Sequence, residues 1–297
     1  MNEEKTPLNP KDDDAHEDVI QVLDLYQTRE RIQTRKLPGF FRDLRRWTWI
    51  PILSAYFLLP WLNIAGRQAI WFDLPARKFH IFWITFWPQD FMLLAWALII
   101  SAFALFTATV LIGRVWCGFS CPQTVWTMLF MSIEDWCEGD RNQRIKLDQS
   151  PWDMNKLKRR GSKFFLWGLL AFVTSLTFVG YYNPIRELVP ELFSFTAHPA
   201  AVFWVFFFGV MTFMNAGFLR EQVCLYMCPY ARFQSVMFDK DTLVVSYNAE
   251  RGEPRGARKR SVDHAAEGKG DCVDCSLCVQ VCPTGIDIRD GLQYECI

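Results

Sequence analysis

Four stretches of this chain run for about 20 residues each without a charged side chain: Trp47–Ala65, Phe91–Leu111 with Ile112, Phe164–Tyr182 and Pro199–Leu219. That is the length a helix needs to cross the hydrocarbon of a bilayer. Each stretch is apolar on every side, whereas a helix packed in a soluble domain keeps one polar face. The near-zero mean hydropathy therefore averages very apolar blocks with very polar ones. Pro51 and Pro60 make the first stretch the least regular, and membrane helices tolerate proline.

Lys and Arg are divided unevenly around these stretches. The tail before the first carries 9, the 113–163 loop 9 and the tail after the fourth 10, against 3 in residues 66–90 and 1 in 183–198. A split of 28 to 4 places both ends and the central loop in the cytoplasm by the positive-inside rule. Trp47, Trp49, Trp61, Trp87, Tyr181 and Tyr182 stand near the ends of the spans, as interfacial aromatics do. The 32 basic and 32 acidic residues balance, which offers nothing to nucleic acid. Residues 1–40 are polar and hold no apolar core of the kind a secretory signal needs.

These features predict an all-α membrane protein, with four transmembrane helices arranged as two related hairpins and a small, incomplete ferredoxin-like segment behind them. The order is a cytoplasmic tail (1–46), a four-helix membrane domain (47–220) with its loop 113–163, a segment 221–248, a flexible linker (249–270) and an iron–sulfur segment (271–297). Asp12, Asp13 and Asp14 read as a solvated charge run. In the first outer loop, Ile70–Phe79 and His80–Trp87 are two β-rich runs around a Pro-containing turn, which predicts a small hairpin. Asp241–Tyr247 reads as an extended strand. The linker's Arg258-Lys259-Arg260 run reads as solvated, with anionic headgroups as the alternative partner.

The sharpest chemical signal is Cys272-x2-Cys275-x2-Cys278-x3-Cys282-Pro283. This is the ferredoxin spacing, in which three thiolates hold corners of one [4Fe–4S] cube and the fourth belongs to a neighbouring cluster. Zinc sites space their CxxC pairs further apart. Cys296 has the position of the first thiol of a second such run. Cys272, Cys275 and Cys278 thus lack a fourth partner within the chain, and Cys282 with Cys296 supply two corners of a second cube. The expectation is a poorly packed segment with incomplete, oxygen-labile iron.

An internal repeat carries the second signal. Cys117-x3-Cys121-Pro122 follows the second apolar stretch, and Cys224-x3-Cys228-Pro229 follows the fourth. At helical pitch, residues four apart would put both sulfurs of a pair on one face, near enough for a soft metal ion or a redox disulfide. The bland alternative is buried apolar cysteine at helix ends. Cys137 reads as non-ligating, Met227 as packing, and His80 and His198 as plain surface residues. Glu134 and Glu221 could steer a cation. No phosphate loop, nucleotide fingerprint, hydrolase triad or HExxH motif is present.

The runs FDLPAR (72–77), FWPQDF (86–91), GRVWCGFSCPQ (113–123), EGDRNQR (138–144), PIRELVP (184–190), RGEPRG (251–256) and CPTGIDIRDGLQYECI (282–297) resemble the FixG/CcoG/RdxA family. These are accessory proteins of cbb-type cytochrome oxidase, and the resemblance runs from about residue 30 to the end. It implies two [4Fe–4S] clusters and reduction of Cu(II) to Cu(I) on the cytoplasmic face of the bacterial inner membrane. Copper would be substrate at Cys117, Cys121, Cys224 and Cys228. Cys272, Cys275, Cys278, Cys282 and Cys296 would hold the iron. Implied partners are the lipid bilayer, an unidentified cytosolic electron donor, and oxidase assembly factors or copper chaperones. The family pattern continues past Ile297 into a second cluster run, another span and an immunoglobulin-like domain, and Cys137 departs from it. The alternatives are a quinol-oxidising subunit that feeds a periplasmic reductase and a non-catalytic assembly scaffold.

Overall fold

The computed structural model describes residues 33–36, 38–64, 66–257, 268–282 and 287–290. Residues 1–32 of the tail, the Arg258-Lys259-Arg260 run, Pro283 and Cys296 lie outside the described residues.

The first helix, α1, spans Phe40–Leu58. Asp43 in its opening turn complements the helix dipole. The chain then tightens into the 3₁₀ turn Leu59–Trp61, where Pro60 has no N–H to continue the helical ladder. The predicted first span is therefore displaced. The helix begins seven residues before Trp47, and by Asn63–Ile64 the chain is already a strand, β1. Arg42, Asp43, Arg45 and Arg46 occupy the early turns of α1, leaving a short apolar remainder. Among the described residues, three helical stretches are long and apolar enough to cross a membrane: Pro88–Ile112, Met154–Val179 and Pro199–Leu219. The predicted count of four spans, arranged as two hairpins, is not confirmed among the described residues.

The fold is also not purely helical. After β1 and β2 (Arg67–Gln68), strands β3 (Ile70–Asp73), β4 (Lys78–Ile81) and β5 (Ile84–Phe86) form a three-stranded antiparallel meander. The predicted hairpin is present, with Trp71 opposite His80 and Phe72 opposite Phe79, and it gains a third strand with His80 opposite Thr85. Its turn is closed by Asp73, whose carboxylate accepts the Ala76 N–H at 3.0 Å. His80 is buried here, with Nδ1 2.9 Å from the Thr85 hydroxyl. Burial holds its pKa below the ordinary histidine value, with Arg67 adding to the shift. The sheet is pinned to the far end of the third apolar stretch: Phe72 N–H donates to Tyr181 O at 2.8 Å and the Trp71 indole to Tyr182 O at 3.2 Å. Gln68 bridges the same junction through Gly180 O and the Ile185 N–H.

Helix α2 (Phe91–Ile112) follows, and the short α3 (Val115–Phe119) leads into α4 (Pro122–Glu138) and α5 (Arg141–Gln149). Helix α6 spans Met154–Val179, starting ten residues before the predicted span because Asp153 caps it by accepting the Met154 N–H. Helix α7 (Ile185–Phe193) connects to α8 (Pro199–Thr212), whose N-cap is His198. The chain then continues in π-helical turns at Phe213–Leu219 and Val223–Met227 before α9 (Pro229–Val236), α10 (Ala249–Gly252) and α11 (Leu277–Val281).

The core lies where α4, α6, α8 and the first π-helical segment meet. Phe130, Trp167, Ala171 and Ala216 form its centre, and the Trp167 indole donates to Phe130 O at 3.0 Å. Gly217 sits against the Trp167 ring: an added methyl there would lie 3.2 Å from it. Val179, Leu188, Ala201 and Val205 form a second cluster. Small residues at such contacts let membrane helices approach closely, where dispersion rather than water exclusion holds them together. Helix α2 is different, since Thr109 is its one buried side chain. A helix of this composition with bare flanks has no stable place in water, and lipid is its natural surround.

Candidate iron–sulfur and thiol site

In both repeats a helical turn brings in the first cysteine, and the second cysteine breaks the helix. Cys117 lies in α3, while Cys121 is extended (φ −62°, ψ 127°) and caps α4. Cys224 lies in the π-helical turn, while Cys228 is extended (φ −85°, ψ 111°) and caps α9. The i and i+4 helical geometry expected for these pairs is thus corrected. Pro122 and Pro229 are the cause, because proline disfavours the helical region for the residue before it and itself suits the first position of a new helix.

The fold brings the two pairs together. Burial pushes the Cys117 thiol up to about 12, nearby Cys121 adds to that, and Cys224 and Cys228 also contribute. Cys224 is pushed up to about 11 by burial, then by Cys121 and Cys228. Arg114, itself buried, opposes the rise at both thiols. Cys117 Sγ also donates to Gln234 Oε1 at 3.5 Å, and the wholly buried Gln234 donates to Gly113 O at 3.4 Å. Among the described residues, no three His, Cys, Asp or Glu side chains are close enough to form a ready-made metal cage.

The ferredoxin segment is held chiefly by charge and backbone. Asp274 and Ser276, on either side of Cys275, are both left-handed at φ 52°, which curls the loop. Arg289 ties the curl by pairing with Asp274 and with Asp287, and its hydrogen bond holds the Asp287 carboxyl down at about 2. Cys275 and Cys278 are exposed, and Cys272 and Cys282 half-buried. A tight curl presenting soft thiols suits a [4Fe–4S] cluster. The stretch read as a flexible linker is fixed at its described ends: Gly256 N–H donates to Cys272 O at 3.1 Å and Asp271 N–H to Arg251 O at 2.9 Å. The predicted strand at 241–247 is instead turn and extended chain without a ladder partner, held to α2 by Thr242 Oγ1 donating to Val110 O at 2.7 Å.

Several residues were not legible as parts of the site. Glu134 is buried at 3% exposure and is no cation guide. Its carboxylate accepts from Arg220 at 2.6 Å and pairs with Lys163 at 3.6 Å and Arg144 at 3.7 Å. Glu138 completes the group through Lys163 at 2.6 Å. This network fastens the root of the Cys224 turn to α4 and α6. Its partners are up to 86 residues apart, so no local pattern announces them. Arg114 did carry a signal, as a base three residues before Cys117. Met227 is exposed rather than packed, and His198 caps α8 with Nδ1 accepting the Ala200 N–H. Cys137 is a half-buried free thiol in α4.

Two family models match the chain: a 4Fe-4S binding domain over residues 94–133 and a 4Fe-4S dicluster domain over residues 219–297. The first contains Cys117 and Cys121. The second contains Cys224, Cys228 and the full ferredoxin run. Together with three helices long enough to span a bilayer, they define a membrane-associated iron–sulfur electron-transfer protein. Curated relatives agree. Nitrogen fixation protein FixG of Rhizobium meliloti is 41% identical over 278 residues, covering 92% of this chain and 53% of that protein. Proteins RdxB and RdxA of Cereibacter sphaeroides are each 42% identical, over 93% and 92% of this chain and 59% and 58% of their own length. The chain is similar to the FixG, RdxA and RdxB proteins over nearly all of its own length and spans a little over half the length of these relatives. Its spanning helices and bacterial relatives support an inner-membrane location. No solved structure is significantly similar to it.

Proposed function

We propose that this protein reduces Cu(II) to Cu(I) at the cytoplasmic face of the membrane, supplying copper for assembly of a cbb-type cytochrome oxidase. The observation that carries the reading is the convergence of Cys117, Cys121, Cys224 and Cys228 around Arg114. Cys272, Cys275 and Cys278 would hold a [4Fe–4S] cluster, with Cys282 and Cys296 serving its neighbour, and the chemistry it would supply there is one-electron transfer. Each Cu(II) takes one electron and leaves as Cu(I). The four thiols bind the substrate, and soft sulfur ligands hold Cu(I) better than Cu(II), which draws the couple toward reduction. Arg114 offsets the negative charge that gathers as their protons leave. Oxidase assembly factors or copper chaperones would receive the product, and an unidentified cytosolic donor would supply the electrons.

Replacing Cys117 and Cys121 together by Ser tests this, as does the matching Cys224 and Cys228 pair. The expected result is loss of copper binding and Cu(II) reduction with the iron content and cluster spectrum unchanged. Unchanged copper stoichiometry in both variants would return these thiols to a packing role. A drop in iron instead would assign them to a cluster, as the description of the model matching residues 94–133 would have it.

A quinol-oxidising subunit is the second reading. It is favoured by an apolar cavity of about 510 Å³ between α2 and α3, lined by Leu105, Ala108, Trp116 and Phe119 beside Cys117. Quinol should reduce the clusters only if this reading holds, and added copper should be ignored.

Both readings share one topology: α1 as a fourth span, with both ends and the 113–163 loop cytoplasmic. Reporters at residue 5 and within 148–156 should then give cytoplasmic signals, and those at Ala76 and Arg186 periplasmic ones. A cytoplasmic signal at Ala76 would overturn it.

A further inference from the structure

A cavity of about 290 Å³ opens beside the first half of α1. Arg35, Lys36, Arg42, Arg45 and Arg46 line it, against a single carboxylate, Asp135. That carboxylate is engaged by Lys36 at 2.8 Å and Arg144 at 3.3 Å, and Arg46 lies 3.8 Å from the exposed Asp43, which leaves the lining with a net positive charge. Its remaining wall is apolar, with Trp49, Met128 and Met131. The cavity lies where α1 changes from charged to apolar, and the next outward-facing side chains, Trp47 and Ile50, are 75% and 59% exposed. A surface with that gradient matches the level at which phosphate headgroups give way to acyl chains. The ligand that satisfies both walls has an anionic phosphate joined to an apolar body.

We propose that this cavity binds the headgroup of an anionic phospholipid, with the guanidinium groups of Arg42 and Arg46 on the phosphate. The first methylenes of its chains would lie against Trp49 and Met131. The proposal is independent of what the thiols reduce. It has a consequence for the iron–sulfur segment, because Val281, next to Cys282, lines the same cavity. The backbone N–H of Arg35 also donates to Gln280 O at 2.8 Å. A lipid seated there would fasten the ferredoxin loop to the membrane surface and fix its distance from the thiol cluster.

The test uses the full chain in nanodiscs of phosphatidylcholine doped with brominated phosphatidylglycerol or brominated phosphatidylcholine, reading quenching of Trp49. The Trp49 contribution is the difference between the parent chain and Trp49→Phe. Brominated phosphatidylglycerol is expected to quench Trp49 at a mole fraction at least about tenfold lower than brominated phosphatidylcholine, from the attraction of clustered basic residues to anionic lipid. Arg42→Gln with Arg46→Gln should abolish that preference. Arg45 is left in place because it lies 5.4 Å over the ring of Phe119, in the helix that carries Cys117. Retained folding of the variant is checked by its cluster spectrum, and a variant that loses the spectrum is replaced by Arg42→Lys with Arg46→Lys, which should keep the preference. Equal quenching by the two lipids would overturn the proposal. Removal of the preference by millimolar inorganic phosphate would overturn it as well, assigning the cavity to a free anion.

Discussion

Glu134→Ala is expected to cost about 3–5 kcal/mol of stability, the penalty for stripping the counter-charge from a buried ion group. Three cations would be left facing a truncated site: Arg220, Lys163 and Arg144, all under 10% exposed. Glu138 already serves Lys163 at 2.6 Å and Asp135 already pairs with Arg144 at 3.3 Å, so Arg220 would lose the most. Arg220 also lies 5.5 Å over the Trp167 ring, so its displacement would disturb the central packing as well as the charge balance. Glu134→Gln should lose less, because the amide oxygen can still accept from Arg220. Thermal unfolding in detergent, followed by tryptophan fluorescence, measures the difference. A midpoint unmoved in Glu134→Ala would show that the network is solvated in the membrane-bound protein. The double variant Glu134→Ala with Arg220→Ala should recover part of the loss, which a generic packing defect would not allow.

Gly113→Ala is expected to damage the thiol site more than its single methyl suggests. Gly113 has φ +64° and ψ −128°, a conformation that glycine adopts freely and other residues strongly avoid. An added Cβ would also stand 2.7 Å from the Leu243 carbonyl oxygen, a backbone atom that cannot swing aside. The strain is on the order of 1–3 kcal/mol, and relieving it moves the joint between α2 and α3. That joint carries Arg114 and, three residues later, Cys117. It also carries the Gly113 carbonyl that holds Gln234 against the Cys117 thiol. The expected outcome is copper binding weakened about tenfold or more, with Cys117 labelled faster by a thiol reagent. Cluster iron in the 272–282 loop should be unchanged. Wild-type labelling and copper binding in Gly113→Ala would show that the turn has no part in placing the thiols.

Both predictions turn on contacts between distant parts of the chain, and that is where the sequence ran out. The apolar stretches were legible because a bilayer imposes a length and an absence of charge that local composition records directly. α2 and the Pro199–Leu219 stretch accordingly appear at their expected bounds. The first stretch was misplaced because α1 begins among charges, which a membrane criterion discards and an α-helix accepts readily. The β-hairpin was legible from its β-rich runs and Pro-containing turn, and its third strand was not, because Ile84–Phe86 is only three residues long.

The sequence by itself singled out the residues proposed to carry the chemistry. Thiol spacing is a property of a few consecutive residues, and the CxxxCP and CxxCxxCxxxCP patterns need no distant partner to be recognised. The prolines after Cys121 and Cys228 even contain the local geometry, since steric exclusion before proline acts within two residues. Only the tertiary structure decided that the two pairs lie near each other, that Arg114 is close to both, and that Glu134 is tied into an ion network. Those facts depend on how α4, α6 and the π-helical turns pack. Packing joins residues by distance in space, and separation along the chain does not encode it.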